Sequence, residues 1–412
     1  MSKFLTVISR KSEIISENDS IDVDQKNLII TGGNGCGKTT LLNDIYSKLS
    51  THLLQRNHQP KSQIENNINY FFNRKENAVK GSHEYHQANE QLRHYQAELA
   101  RVWGGIQLEF EDVNKLSLLL SEGKGIIAFF RADRQASIQA ATGANKIIST
   151  DESNYLSISK KELGNTFEQH LANLKTRQSF AKTHDNNLEL FNSIDNWFSE
   201  LEKNIAYLME DTTFELKFNP DEFKFFLTQE GKKPYTFQTL SSGYSSIFNI
   251  ISDLIMKTEA FKISPSELQG IVMIDEIDAH LHVSLQRKIL PFLTKTYPSI
   301  QFIVTTHSPF VIGSLEDSII YDLSSKQHFK DLSSYSYETI IEGLLGVPVV
   351  SVSLEKDIKR LSLLINEDNH DIEAIDEIVQ KLLPYRDKLD DESAIFLIKG
   401  MNLLKCKARG DK

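Results

Sequence analysis

The sequence contains few cysteines and no long apolar run, and both absences narrow the class of protein. Cys36 and Cys406 are the only cysteines among 412 residues, so a disulfide framework is excluded and a reducing cytoplasm is expected. No window approaches the roughly 18 consecutive apolar residues that span a bilayer, and the first residues lack the apolar stretch of a secretion signal. We therefore expect a cytoplasmic protein with no membrane segment.

An excess of positive charge is also missing. The chain has 46 Lys and Arg residues against 56 Asp and Glu residues, a net charge of −10. This balance excludes a wholly basic nucleic-acid binder but leaves room for a local basic patch. With 40% hydrophobic and 25% charged residues, the composition is that of a soluble globular protein. The length allows about two to three domains, or one core domain with large insertions.

A glycine-rich segment follows the apolar run Leu28–Ile30 and precedes a helical pattern. It fits the phosphate-loop motif G-x-x-x-x-G-K-[ST], and its residues are Gly32, Gly33, Asn34, Gly35, Cys36, Gly37, Lys38 and Thr39, followed by Thr40. Glycines let the backbone N–H groups of such a loop turn towards an anion at a helix N-terminus. Lys38 is expected to reach the β- and γ-phosphates and the Thr39 hydroxyl to ligate Mg²⁺, which predicts ATP and Mg²⁺ as cofactors. A redox role of Cys36 is the alternative for that residue.

Two acidic residues follow a second apolar strand, 271–274. Asp275 at the strand end can hold magnesium directly or through water, and Glu276 can orient and deprotonate an attacking water. An acidic strand end that merely caps a helix is the alternative interpretation. Together with the phosphate loop, the pair predicts nucleotide hydrolysis.

The segment 240–244, Leu-Ser-Ser-Gly-Tyr, opens a helical pattern with Ser241 as a candidate N-cap. It resembles the signature motif of ABC-type ATPases, from which it departs at Ser242 and Tyr244. The resemblance implies that Ser241 and Gly243 contact the γ-phosphate bound by a second subunit, and hence a homodimer or a higher even oligomer. A plain N-cap is the alternative.

Residues 275–286 and 301–309 resemble the OLD, RecF and SMC-like branch of the ABC superfamily, with Val283 where a proline is usual. The resemblance implies that His307 is a switch histidine near the γ-phosphate and that Asp278 lies at the dimer seam. It also implies a nucleotide and Mg²⁺ sensor after the strand 126–130, where Gln135 is the amide candidate and Arg134 its rival. A packed or capping role is the alternative for His307.

The order of motifs predicts an α/β fold with a P-loop ABC-type ATPase core, a parallel central sheet, an antiparallel β subdomain, helical insertions and a helical tail. The expected divisions are a split core (1–45, 105–136 and 211–330), a helical arm (46–104), a loop and helical subdomain (137–210) and a helical C-terminal region for partner docking or capping (331–412). Residues 137–160 are expected to form a mobile loop because they are rich in Ser, Thr, Ala and Asn.

The motifs as a set resemble the ATPase subunits of the antiphage systems Septu, retron and PARIS. That resemblance implies an ATPase that gates or scaffolds a separate effector nuclease encoded nearby. A RecF- or SMC-like repair ATPase that clamps DNA is one alternative, and a slow nucleotide-sensing scaffold is another. The segment 51–101 has seven basic residues against five glutamates, so nucleic acid or a protein partner are both candidates for the arm.

Overall fold

The structure is a computed structural model, and it describes residues 3–10, 19–55, 61–103, 105–145, 155–367 and 370–410. The chain forms two compact units, Met1–Tyr337 and Glu338–Lys412. None of the helices in the described ranges is both long and apolar enough to cross a bilayer.

Strands and helices are interspersed along the described chain. The strands are β1 (Leu5–Arg10), β2 (Asp19–Asp22), β3 (Asn27–Thr31), β4 (Ile106–Phe110), β5 (Gly125–Phe130), β6 (Glu215–Asn219), β7 (Lys224–Thr228), β8 (Gln269–Ile274), β9 (Ile300–Thr305), β10 (Ser318–Asp322) and β11 (Gln327–Lys330). The helices are α1 (Lys38–Leu49), α2 (Lys61–Asn77), α3 (His83–Trp103), α4 (Val113–Ser121), α5 (Tyr155–Lys160), α6 (Phe167–Thr183), α7 (Leu188–Met209), α8 (Ser242–Phe261), α9 (Val283–Thr296), α10 (Pro309–Ile312), α11 (Tyr337–Thr339), α12 (Val352–Asn366), α13 (Ile372–Leu382) and α14 (Asp391–Gly410).

A six-stranded sheet in the order β11-β10-β3-β9-β8-β5 forms the centre of the first unit. All its neighbouring pairs are parallel except β10 with β11. Every residue of β3, β9 and β10 is buried, as expected for inner strands of a parallel sheet whose central residues are apolar. A separate antiparallel sheet has the order β2-β1-β4. The predicted α/β fold class, with its parallel sheet and antiparallel β subdomain, is therefore confirmed.

The parallel arrangement determines where the functional residues lie. The carboxyl ends of β3, β9 and β8 are adjacent, since these strands are neighbours and run in the same direction. The phosphate loop follows β3, the pair Asp275-Glu276 follows β8, and Thr306 and His307 follow β9. Three motifs that are far apart in sequence thus converge at one edge of the sheet, as open α/β sheets place their ligand sites.

The segment predicted as an arm contains the helical hairpin α2–α3. The two helices turn at Gly81, which has a left-handed φ of 87°. They pack through stacked rings of Phe71 and Tyr95, whose centroids are 5.6 Å apart. Two of its basic side chains are engaged inside the hairpin: Arg74 pairs with Glu84, and Lys75 lies over the ring of Tyr85.

The expected mobile loop at 137–160 differs from the structure wherever that segment is described. Ile138 and Ala141 are buried against α6 and α7. The N–H of Thr142 donates to the Gln169 side chain, and the N–H of Asn145 donates to that of Asn173. Polar side chains of α6 therefore bind the backbone of a segment that its composition predicted to be mobile. Residues 155–160 form α5, and residues 146–154 lie outside the described ranges.

The second unit is helical in its described part, with a small core among α12, α13 and α14. The apolar face of α13 supplies Ile375, Val379 and Leu382 to this core. The unit begins at Glu338, which is seven residues later than the predicted start at 331.

Candidate ATP-binding site

The phosphate loop, residues 32–39, needs glycine at Gly32 because a side chain would clash there, and at Gly35 and Gly37 because their φ angles are positive. Gly32 has φ 136°, and a Cβ atom there would lie 2.9 Å from both Cys36 Sγ and Ser324 Oγ. The Ser324 hydroxyl also accepts a hydrogen bond of 2.8 Å from the Gly33 N–H. The loop is therefore held from the β10–β11 connection as well as by its own turns, and it leads directly into α1.

Lys38 is the first residue of α1 and is buried. Its ammonium donates to the carbonyl oxygens of Gly32 at 2.9 Å and Gly33 at 3.1 Å. The side chain thus folds back over the loop at the positive end of a 12-residue helix. A lysine and a helix N-terminus at one place make a site suited to phosphate groups.

Asp275 joins the phosphate loop to the central sheet. Its Oδ2 atom accepts a 2.8 Å hydrogen bond from the Thr39 hydroxyl, and its Oδ1 atom accepts one of 2.6 Å from the Thr305 hydroxyl. The aspartate is buried, and its own N–H donates to Phe130 at the end of β5. The structure thus brings together Thr39 and Asp275, the two residues predicted to hold Mg²⁺.

Glu276 lies on a sharp turn just beyond β8. Its φ is 44°, a left-handed conformation that costs a non-glycine residue about 1–2 kcal/mol. The turn is held because the Glu276 N–H donates to the Thr305 hydroxyl at 2.7 Å and the Ile277 N–H donates to the Thr305 carbonyl. The half-buried glutamate side chain is therefore carried by a strained but firmly supported backbone.

His307 and Asp278 lie on two connections that are fastened to each other. The Thr306 hydroxyl donates to Asp278 at 2.5 Å and accepts from the Ser308 N–H at 2.9 Å. His307, between Thr306 and Ser308, is half-buried. The residues predicted as the switch histidine and the seam aspartate are thus linked through the polypeptide that follows β9.

The signature segment opens α8, with Ser241 as the N-cap residue. The Ser241 side chain is exposed and makes no capping hydrogen bond. A Cβ atom on Gly243 would lie 2.6 Å from the His280 carbonyl oxygen, so this glycine allows α8 to pack closely on the segment after Glu276. In the described ranges, no hydrogen bond joins Ser241 or Gly243 to the phosphate loop of the same chain.

Gln135 and Arg134 occupy different environments. Gln135 is exposed, and its carbonyl accepts from the Asn249 amide of α8. Arg134 is buried, and burial lowers its pKa to about 10 although Asp278, Asp275 and Glu276 act in the opposite direction. The arginine is therefore still charged at neutral pH.

Sequence reasoning assigned no role to Thr305, Thr306 or Ser324. The two threonines could have been noticed, because Thr305 ends a buried strand, Thr306 follows it directly, and the neighbouring strand leads into Asp275. The Ser324 hydroxyl contacts the Gly33 N–H of the phosphate loop, which is 291 residues away in sequence. No local sequence pattern predicts that contact.

Comparison with known proteins shows the family of this chain. A family model described as "AAA domain, putative AbiEii toxin, Type IV TA system" matches residues 28–313. The chain belongs to this family. It therefore carries an ATP-binding ATPase domain, and the matched range contains the phosphate loop, the signature segment, Glu276 and His307.

Curated relatives place this AAA domain near those of two defence systems. The chain is 29% identical to the "Retron Ec83 probable ATPase" of Escherichia coli over 186 residues, which are 41% of this chain and 34% of that protein. It is 28% identical to the "Septu protein PtuA" of Bacillus thuringiensis over 181 residues, 38% of this chain and 46% of that protein. The predicted resemblance to retron and Septu ATPases is confirmed, although the matches span only about a third to a half of these relatives.

One solved structure that matches this chain in a structural comparison is the "SmcHead bound to the C-winged helix domain of ScpA". It has a TM-score of 0.34 and 12% sequence identity, over 79% of this chain and 96% of that chain. The fold assignment rests on the strand order of the central sheet and not on this match.

Proposed function

We propose that this chain is an Mg²⁺-dependent ATPase that closes as a homodimer, or a higher even oligomer, around ATP and thereby gates or scaffolds a separate effector nuclease encoded nearby. The observation that carries the proposal is the bonding of Asp275 to Thr39 at 2.8 Å, which ties the phosphate loop to the carboxylate pair. The retron and Septu relatives support a defence setting.

The residues at the sheet edge fit a magnesium ion. The Thr39 hydroxyl and the Asp275 carboxylate are oxygen donors 2.8 Å apart, and Mg²⁺ prefers oxygen ligands shared with substrate phosphates. When bound, Mg²⁺ would offset negative charge on the β- and γ-phosphates. Asp275 and Thr39 would hold the ion, while Thr305 keeps the second carboxylate oxygen of Asp275 in place.

Hydrolysis then follows from the chain's own groups. Lys38 would leave the loop carbonyls to neutralise the terminal phosphates, and Glu276 would accept the proton of the attacking water. His307 would donate a hydrogen bond to the γ-phosphate. The hydrogen bond from the Glu276 N–H to the Thr305 hydroxyl supports this role, because a general base must be held in a fixed position.

The second subunit would complete the site through Ser241 and Gly243. Ser241 is exposed at the N-terminus of the 20-residue helix α8, and its hydroxyl has no capping bond to lose. A free hydroxyl and unpaired N–H groups at a helix N-terminus favour an anion. Asp278 would lie at the seam between the two subunits. Gln135 would sense the nucleotide and its Mg²⁺.

The effector part of the proposal is carried by the relatives and by the architecture of the second unit. In its described part this unit is helical and displays exposed apolar side chains such as Val352, Leu363 and Ile395. Arg74 and Lys75 of the arm are engaged within the hairpin while Lys80 and Arg93 are exposed, so the arm by itself does not favour DNA clamping over a protein partner.

A mixing experiment tests the shared site. Lys38→Ala should inactivate the phosphate loop and Ser241→Arg the signature, so each variant alone should lack turnover. A mixed dimer would contain one intact site, and free exchange should restore about a quarter of normal turnover. Mixed proteins that show only the sum of their separate rates would contradict the shared site.

The partner is tested separately. Co-expression with the product of the adjacent gene should yield a stable complex with the tagged full chain, and Ser241→Arg should alter the nuclease activity of that complex. A neighbour that neither co-purifies nor changes activity with the ATPase variant would contradict the effector role.

A further inference from the structure

The buried arginine Arg134 donates from both terminal nitrogens of its guanidinium to backbone carbonyl groups, while its buried Nε atom has no hydrogen-bond partner among the described residues. Its Nη1 atom donates to Asp275 at 2.6 Å and to Arg131 at 3.0 Å, and its Nη2 atom donates to Glu276 at 3.1 Å and Ile277 at 3.2 Å. Only 6% of the residue is exposed. Three of these four carbonyls belong to residues 275–277, the turn that carries the metal-binding and water-activating carboxylates.

This turn, called the catalytic turn below, needs such support. Glu276 has a left-handed backbone, and the Thr305 hydroxyl fastens the N–H side of the turn through the Glu276 amide. Arg134 fastens the carbonyl side. A planar guanidinium can meet several acceptors at fixed angles, whereas the lysine ammonium is a single point charge.

The loop that carries Arg134 is itself attached to the signature helix. The Ala136 N–H donates to the Ser245 hydroxyl at 2.9 Å and to the Ser245 carbonyl at 3.2 Å. The Asn249 amide donates to the Gln135 carbonyl at 3.2 Å. A shift of α8 would therefore move Arg134 as well. The N-terminus of α8 is proposed to contact the nucleotide bound by the other subunit.

We propose that Arg134 is a positioning residue that fixes the catalytic turn and so aims Glu276, without contacting the nucleotide. It thereby links the signature helix of each chain to the catalytic turn of the same chain. The inference rests on the proposed function, because it requires Glu276 to activate water. It replaces the sensor role considered for Arg134, since all four hydrogen bonds of the side chain go to the protein backbone.

The test compares Arg134→Lys with the matched control Arg131→Lys. The Arg131 side chain is largely exposed, although it lies in the same loop. ATP affinity, kcat and thermal unfolding are measured for both full-length variants and the wild type. Arg134→Lys should lower kcat by about 10- to 100-fold, the usual loss from a misplaced catalytic group. Its ATP dissociation constant should change less than about twofold, because Arg134 does not meet the nucleotide. Arg131→Lys should match the wild type.

Three outcomes would overturn the inference. The first is an unchanged kcat in Arg134→Lys, and the second is a loss of ATP affinity as large as the loss of kcat. The third is failure of both Arg134→Lys and Arg134→Gln to fold, which would show that the residue supports the whole domain. Glu276→Gln is measured in parallel. Normal turnover in that variant would remove the proposed base, whereas slow turnover there with normal Arg134→Lys would remove only the positioning role.

Discussion

Replacing Glu276 with glutamine should slow turnover strongly while leaving nucleotide binding intact. The amide has nearly the same shape, and the hydrogen bonds that hold residue 276 involve its N–H with Thr305 and its carbonyl with Arg134. These backbone bonds survive the substitution, so only the basicity of the side chain is lost. General-base catalysis contributes about 10²- to 10⁴-fold, which corresponds to about 3–5 kcal/mol in the activation barrier.

Phosphate release under saturating ATP and Mg²⁺ measures the rate, and calorimetric titration measures ATP affinity. Glu316→Gln is the matched control, because that glutamate is exposed in the same unit. The control should retain normal turnover and Glu276→Gln should retain normal affinity. Wild-type turnover in Glu276→Gln would refute the assignment of the base, and lost ATP affinity would refute the reasoning that its role is purely catalytic.

Three further changes probe the loop, the helix packing and a buried charge pair. Lys38→Ala should abolish ATP binding in the same titration, and normal affinity would show that the phosphate-loop assignment is wrong. Gly243→Ala would press a methyl group against the His280 carbonyl and should cost about 1–3 kcal/mol of unfolding free energy in a denaturant titration; an unchanged midpoint would contradict the close packing. Lys257→Met would strand the carboxylate of Asp253, to which Lys257 is paired at 2.6 Å with both side chains 3% exposed, and should cost about 3–5 kcal/mol; a loss below about 1 kcal/mol would contradict the pairing.

Local patterns were sufficient to predict the parallel strands and the residues at their ends. The run Ile271–Ile274 indicated a strand buried on both faces, and the structure places it inside β8. The phosphate loop was predictable for the same reason, since strand, glycine turn and helix are consecutive in sequence. Convergence of Thr39 and Asp275 follows from the phosphate-loop chemistry and the common direction of the strands.

Long-range contacts that belong to no recognised motif were not predictable. An arginine is expected at the surface, yet Arg134 is buried because its acceptors arrive from 141 to 143 residues further along the chain. Ser324 contacts the phosphate loop in the same long-range manner. The composition of 137–160, rich in Ser, Thr, Ala and Asn, suggested a mobile loop, but side chains of α6 such as Gln169 bind the backbone of its described part. In each case tertiary hydrogen bonds override the local signal.

The most direct measurement of ATP-driven closure is the molecular mass of Glu276→Gln with and without ATP and Mg²⁺, by light scattering after gel filtration. The mass should double with ATP and Mg²⁺, and the double variant Glu276→Gln with Ser241→Arg should bind ATP but keep its nucleotide-free mass. An equal mass change in both proteins, or no change in either at saturating ATP, would contradict a nucleotide shared between two copies of this chain.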